Sequence, residues 1–265
     1  MRVLSIVSEA PIGTHLTFTR IKLDGEIAAE AEYKSTPDSR YDGMRTRTSR
    51  DIMLDIAGLP QLSKECATRV PPPGAKIEDF LSRWSNTKVS LPAAVIVPAN
   101  EEDIRAVIKY AACQGLRVLP VAGAHGTFVP IDDRCVYLDL SRFNTIELDE
   151  DAGAATFGGG GAITEAMIRT LGERGFYTSV PTSSAVGMAG YYLGGGSSPY
   201  NGLKGLAIDH ILHIRIITAD GESRDLSPSS PRKEDAVLFN VLCGAGLGFG
   251  VIPSITLRVW RTCFG

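Results

Sequence analysis

The residues of this chain whose types and spacing could do chemistry are its 28 glycines, four histidines and five cysteines. The glycines gather in three clusters: Gly158–Gly161; Gly187, Gly190, Gly194, Gly195 and Gly196; and Gly244, Gly246, Gly248 and Gly250. Glycine lets a ligand approach the backbone closely, and exposed amides favour phosphate. A phosphorylated cofactor is therefore the first hypothesis, with plain turns the competing one. Three clusters beside otherwise regular elements weigh toward ligand cradling.

Several familiar chemistries fail on element order and spacing. A nicotinamide-binding Rossmann turn needs strand, GxGxxG and helix, but after Gly244 and Gly246 the third glycine is replaced by Phe249, and the order is helix, glycines, strand. No GxxxxGK[ST] loop is present, which removes an ATP or GTP site of that type. Gly195-Gly196-Ser197 continues as Ser198-Pro199, so the GxSxG elbow of a serine hydrolase is missing. Cys66, Cys113, Cys135, Cys243 and Cys263 form no CxxC pair and no zinc-ligand spacing. Their odd number argues against a closed disulfide framework, and reduced thiols without a metal site are expected.

Of the histidines His15, His125, His210 and His213, the last two sit on a strand pattern that sends them to opposite faces, which suits structural or surface roles. His125 differs. It lies at the tip of the loop Val121-Ala122-Gly123-Ala124-His125-Gly126-Thr127-Phe128, immediately after a strand pattern. An imidazole there could hydrogen-bond a ligand, act as a base or attack an electrophilic carbon.

Regular elements must hold that loop. At 265 residues the chain exceeds one small core, and 44% apolar against 22% charged residues is the balance of a globular protein. A net charge of −3 gives no basic footprint for nucleic acid or an anionic membrane, which leaves a small molecule as the expected partner. The short apolar run after Met1 falls below a secretory signal, and no stretch approaches a membrane span. The chain as written is expected in the cytoplasm, with secreted homologues if the amino terminus is incomplete. Residues 1–88 have weak periodicity and read as a partly helical extension, with an amphipathic piece around Phe80 to Trp84. From Ala93 the pattern becomes regular. Ala94 to Val97 is a buried strand; Asn100 caps a helix carrying Ile104, Val107, Ile108 and Ala111 and ended by Gly115; Arg117 to Val121 is a second strand. Further strands are expected at Val136–Leu138, Thr145–Leu148, Ala154–Phe157, His210–Thr218, Glu222–Leu226 and Val251–Val259. Helices are expected at Ile163–Arg174 and about Glu234–Leu242. Helices alternate with hairpins, so the fold class is α+β.

An ordered set of motifs makes the assignment specific. Arg83-Trp84-Ser85-Asn86, Val97-Pro98 with Glu102-Asp103, Gly123-Ala124-His125-Gly126, Ala185-Val186-Gly187-Met188-Ala189-Gly190 with Leu193-Gly194-Gly195-Gly196, Ile217-Thr218-Ala219-Asp220-Gly221, and Leu238-Phe239-Asn240 leading to Gly248-Phe249-Gly250-Val251-Ile252 occur in this order. Together they resemble the PCMH-type FAD-binding domain of fungal berberine-bridge-like oxidoreductases, in the vanillyl-alcohol-oxidase superfamily. The resemblance implies a two-lobed domain over residues 89–265. One lobe has a small sheet with parallel strands, the other a larger mainly antiparallel sheet, both flanked by helices, with FAD extended between them. It implies that the loop Val121, Ala122, Gly123, Ala124, His125, Gly126 and Thr127 wraps the pyrophosphate, and that His125 bonds the flavin 8α carbon, raising its potential and preventing its loss. It further implies that Thr182, Gly187 and Gly190 line the cofactor and that Ile252 offers backbone hydrogen bonds near the adenine.

Two departures narrow this expectation. Where some members carry a second flavin-linking cysteine before the Pro-Thr pair this chain has Val180, so a singly linked FAD is expected. Ala122 and Ala124 stand where the loop usually has glycines. Family members also continue through a substrate domain that carries the catalytic base. Its absence here leaves the base unnamed and makes self-association, or a partner over the face so exposed, an expectation. The implied activity is that of an FAD-dependent oxidase acting on a small organic, secondary-metabolite-like substrate. A truncated or repurposed flavin binder, either a redox-neutral cyclase or a non-catalytic module, is the alternative.

Overall fold

A computed structural model describes residues 62–87, 89–127, 129–246 and 248–262, within the unit Leu54–Gly265. Strand β1 (Ala67–Arg69) comes first and was not legible in the sequence. The run Ala94–Val97 has no polar residue to turn toward water, and it forms β2, with Ala94, Val95 and Ile96 wholly buried. Asn100 caps the next helix as expected, its side chain accepting the Asp103 amide at 2.9 Å. That helix, α1 (Glu101–Gln114), ends at Gly115, whose φ of 64° places it in the left-handed region that L-residues resist. Ile104, Val107, Ile108 and Ala111 are buried along one face.

The strand that follows, β3 (Arg117–Val121), does not lie beside β2. Strand β4 (Cys135–Asp139) inserts between them, parallel to both, while β1 pairs antiparallel with β2, giving the order β1-β2-β4-β3. The strand-helix-strand unit read from the sequence therefore skips one strand, and α1 crosses over it. Strand β1 belongs to the segment read as an extension, yet it is hydrogen-bonded into this sheet. The remainder of that extension through residue 61, with His15, lies outside the described residues. Around Phe80 to Trp84 the described chain is irregular and follows a single 3-10 turn at Ile77–Asp79.

The second sheet is wholly antiparallel. Strands β5 (Ile146–Asp149), β6 (Ala154–Gly158), β8 (Ile211–Thr218), β9 (Ser223–Leu226) and β10 (Gly250–Arg258) take the order β5-β6-β10-β8-β9. Between them run α2 (Thr164–Gly172), β7 (Phe176–Tyr177), α3 (Met188–Leu193), α4 (Asn201–Lys204), α5 (Lys233–Ala245) and β11 (Trp260–Arg261), which pairs with β7. Phe157, Ile214, Ile216, Ile255 and Leu257 meet Met167 and Leu171 of α2, Met188 and Tyr192 of α3, and Phe239 and Leu242 of α5 in one core. Of the face Leu212, Ile214 and Ile216, only the last two are fully buried. Thr256 pairs with His213 and Leu257 with Ile211, so Leu212 is the extra residue of a bulge. Helix α3 was hidden by its glycines, although Met188, Ala189, Tyr192 and Leu193 show the helical spacing and are all buried.

The four-glycine run corrects the cradle hypothesis for that cluster. A methyl group at Gly158 would meet the Phe143 carbonyl, at Gly159 the Ile252 carbonyl, at Gly160 the Leu140 carbonyl and at Gly161 the Asn144 side chain, all within 2.3 Å. Protein backbone already occupies the space these glycines leave open. Gly246 likewise faces the Leu193 side chain, and Gly250 the Ile217 carbonyl.

A polar junction ties α1 to the larger sheet. Glu101 receives Arg215 of β8 on both carboxylate oxygens, at 3.1 and 3.0 Å, together with Arg105 and Ser223, each at 3.2 Å. Burial by itself would raise the Glu101 pKa, but the Arg215 hydrogen bonds and charge, with Ser223 and Arg105, outweigh it and hold the carboxyl below its ordinary 4.5. A depressed folded-state pKa stabilises the fold above the ordinary value and ceases to do so as the pH falls through the folded one. Glu101→Gln is expected to lower unfolding stability at neutral pH by about 1 to 2 kcal/mol, since a pair about a quarter exposed is partly screened. It should also flatten the loss of stability below pH 4.5. Urea unfolding from pH 7 down through that range checks both; an unchanged acid slope would count against the junction.

Candidate cofactor site

At the end of β3 the buried Val121 still belongs to the small sheet, and its carbonyl accepts the Leu140 amide at 2.9 Å. The chain then leaves the sheet through Ala122, Gly123, Ala124, His125, Gly126 and Thr127. Within this loop Ala124 has a φ of 51°, alone among the described non-glycine residues in adopting the left-handed conformation. The turn that presents His125 is thus held by a residue whose methyl group opposes it.

Two sets of contacts hold the loop in place. Against the larger-sheet lobe, Gly123 and Gly187 pack backbone to backbone: a Cβ on Gly123 would lie 2.5 Å from the Gly187 nitrogen, and one on Gly187 would lie 2.6 Å from the Gly123 nitrogen. Gly187 itself is anchored, because Ile163 pairs with it in an isolated bridge and the Met188 amide bonds the Ala162 carbonyl at 2.9 Å. From the small-sheet side, the Arg83 guanidinium donates to the Gly126 carbonyl and the Trp84 amide to the Ala124 carbonyl at 3.5 Å. The Trp84 indole stacks on the His125 imidazole with centroids 4.7 Å apart and planes 17° from parallel.

These contacts border an open cavity of about 260 Å³, lined by Ser82, Arg83, Trp84, Gly123, His125, Ser183, Ala185 and Val186. Among the described residues, no hydrogen bond uses the backbone N–H groups of residues 122–127, and neither imidazole nitrogen of His125 has a partner. His125 is exposed at the cavity wall. Unspent amides favour an anion and a free imidazole can donate, accept or attack, so the donor set fits a phosphorylated ligand lying beside His125. Among the described residues, Arg83 is the sole side chain of fixed charge on the wall, and no carboxylate lines it.

The sequence-based expectations distribute unevenly over this geometry. Gly123 and His125 line the cavity, Gly187 packs on Gly123, and Thr182 is an exposed neighbour of the lining residue Ser183. The loop before α3 is held by the buried Tyr192, whose hydroxyl donates to the Ser179 carbonyl at 2.7 Å. Gly190 is exposed on α3, with nothing within 4 Å of a would-be Cβ, which leaves that surface open to a ligand. Ile252 is not brought to the cavity wall. It sits in a bulge of β10, where the register shifts between Val251 and Ser254, with its side chain in the larger core. Ser82, Arg83, Trp84, Ser183, Ala185 and Val186 also line the cavity, and the sequence assigns none of them a role there. Arg83 and Trp84 were visible as part of a motif, but 43 residues separate Arg83 from its partner Gly126.

The other reactive residues lie elsewhere. His210 is buried, with Nε2 2.8 Å from the Lys204 carbonyl and its ring edge-on to Trp260, while His213 lies 3.4 Å from the Asp225 carboxylate. Cys66, Cys113, Cys135 and Cys243 are free thiols, and burial pushes Cys66, Cys135 and Cys243 up to about 11, which keeps them protonated at neutral pH.

Residues 92–227, just over half of the chain, match the FAD binding domain family. The chain belongs to this family. It is 31% identical to the FAD-linked oxidoreductase azaL of Aspergillus niger over 231 residues, covering 80% of this chain and 48% of that relative. Its fold is similar to that of 6-hydroxy-D-nicotine oxidase from Arthrobacter nicotinovorans, with a TM-score of 0.68 at 24% identity, over 76% of this chain and 44% of the other. It is also similar to glucooligosaccharide oxidase from Acremonium strictum, described with a 6-S-cysteinyl, 8α-N1-histidyl FAD, with a TM-score of 0.63 at 25% identity over 73% and 41% of the two chains. The chain spans about half the length, or less, of the curated relatives it matches. The mixed small sheet and antiparallel larger sheet are those of the PCMH-type FAD-binding fold.

The strained Ala124 and the Gly123–Gly187 contact give opposite expectations. Ala124→Gly removes a left-handed penalty and should stabilise the domain by about 0.5 to 1 kcal/mol after the added chain entropy is counted. Gly187→Ala forces the two backbones apart and should destabilise it by about 1 to 3 kcal/mol. Denaturant midpoints of the two variants check the pair, and equal shifts in one direction would contradict this geometry.

Proposed function

We propose that this chain forms the FAD-binding part of an FAD-dependent oxidoreductase of the oxidase type, with the flavin held by a single covalent link to His125. The observation that carries the reading is the exposed imidazole of His125, without a hydrogen-bond partner among the described residues, on a loop whose amides are unspent. FAD, when bound, supplies the capacity to accept a hydride and to pass electrons on to dioxygen.

The chain's own residues do the holding. The N–H groups of residues 122–127 bind the diphosphate by donating to its oxygens. Trp84 restricts the rotation of the imidazole by stacking, so that His125 presents one edge to the cavity rather than sampling its rotamers. Ser183, Ala185 and Val186 form the other wall, kept in place by the packing of Gly187 on Gly123, and Thr182 and Gly190 offer surface beyond it. Val180 packs partly buried against the larger core and brings no thiol, so the link is single. The substrate is a small organic molecule of the secondary-metabolite kind that the berberine-bridge-like resemblance implies, and the activity is assigned to the whole protein of which these residues form the cofactor part.

The test is an absorbance spectrum before and after acid precipitation. The parent protein should carry its yellow colour into the pellet, and His125→Ala should release it to the supernatant. Flavin retained in the mutant pellet as fully as in the parent would remove His125 as the attachment point.

A further inference from the structure

Arg83 makes one contact the architecture needs and leaves another unmade. Its guanidinium donates to the Gly126 carbonyl, which holds the His125 loop from the small-sheet side. Its Nε, however, is buried and has no partner, and among the described residues no carboxylate pairs with its charge. Arg215 is the contrast: Glu101 and Asp225 compensate it from two sides. A buried donor left unmatched is costly, and a guanidinium charge beside a cavity without an acid is costlier still, unless an anion arrives.

What such an anion would be follows from the neighbours. Arg83 lines the same cavity as Gly123 and His125, and the adjacent amides of residues 122–127 are unspent. Among the described residues, no Asp or Glu lines the wall to compete for the guanidinium. Planar N–H pairs of arginine match phosphate oxygens in direction as well as charge. We propose that Arg83 is a direct ligand of the FAD diphosphate, supplying the positive charge that the backbone amides lack. This rests on the FAD reading above and adds to it a residue that this reading does not use.

The experiment uses the full chain in a His125→Ala background, so that flavin binding is reversible and can be titrated. Dissociation constants for FAD, ADP and riboflavin are measured by flavin fluorescence or by competition, with Arg83, Arg83→Met and Arg83→Lys, after thermal melts confirm folding. A diphosphate ligand predicts that Arg83→Met weakens FAD and ADP by about 10- to 100-fold, as expected for a charge-assisted bond, leaves riboflavin within about twofold, and flattens the salt dependence of FAD binding. Arg83→Lys keeps the charge without the fork and should fall between the two; it carries the comparison if Arg83→Met does not fold. Equal weakening of FAD and riboflavin would show that Arg83 acts only by holding the loop through Gly126, and no weakening of FAD would show that it holds nothing; either result overturns the proposal. If the Arg83 form bound neither FAD nor riboflavin nor ADP, the FAD reading itself would fail and the proposal with it, a result distinct from selective retention of riboflavin.

Discussion

The backbone contact between Gly123 and Gly187 is the constraint on which the site depends. Two chain segments from different lobes approach so closely that neither tolerates a side chain, and a Cβ on either would lie within 2.6 Å of the other's nitrogen. One segment leaves the small mixed sheet at Val121; the other is fastened to the start of α2 through Ala162, Ile163 and Thr164. Because the lobes meet there, the His125 loop and the Ser183–Val186 segment face one cavity. A larger residue at either position would widen the junction and disperse the groups that converge on it.

The rest of the structure keeps those two segments at that distance. Glu101 and Arg215 join α1 to the larger sheet by a bidentate, partly buried pair, a planar geometry that resists shear better than a single contact. Arg83 and Trp84 hold the loop from the other side, through Gly126, Ala124 and the indole stacked on His125. The loop's freedom is thereby reduced while its amides stay unspent, which is what a preorganised anion site requires.

Glycine does three physically different jobs in this chain. At Gly158–Gly161 it lets protein backbone pack on protein backbone, at Gly115 it closes a helix with a left-handed φ, and at Gly190 it leaves surface with nothing upon it. Composition cannot separate these jobs, because each depends on what lies opposite the missing side chain. That is why the longest glycine run, the most conspicuous in the sequence, turned out to be filled by Phe143, Ile252, Leu140 and Asn144, while the close approach beside the cavity involves one glycine from each of two modest motifs.

Local pattern determined a good part of this protein without help. The cap at Asn100, the stop at Gly115, the run Ala94–Val97 and the placement of His125 just beyond β3 all follow from interactions within a few residues, and motif order carried the family. Tertiary structure alone decided the rest. Strand β4 entered between β2 and β3, β1 joined the sheet, α3 formed despite its glycines because its apolar face could be buried, and Ile252 was drawn into the core away from the cavity wall. Above all, only folding could set Arg83 and Trp84 against a loop some forty residues further along, since a contact between distant segments leaves no periodic trace in either of them.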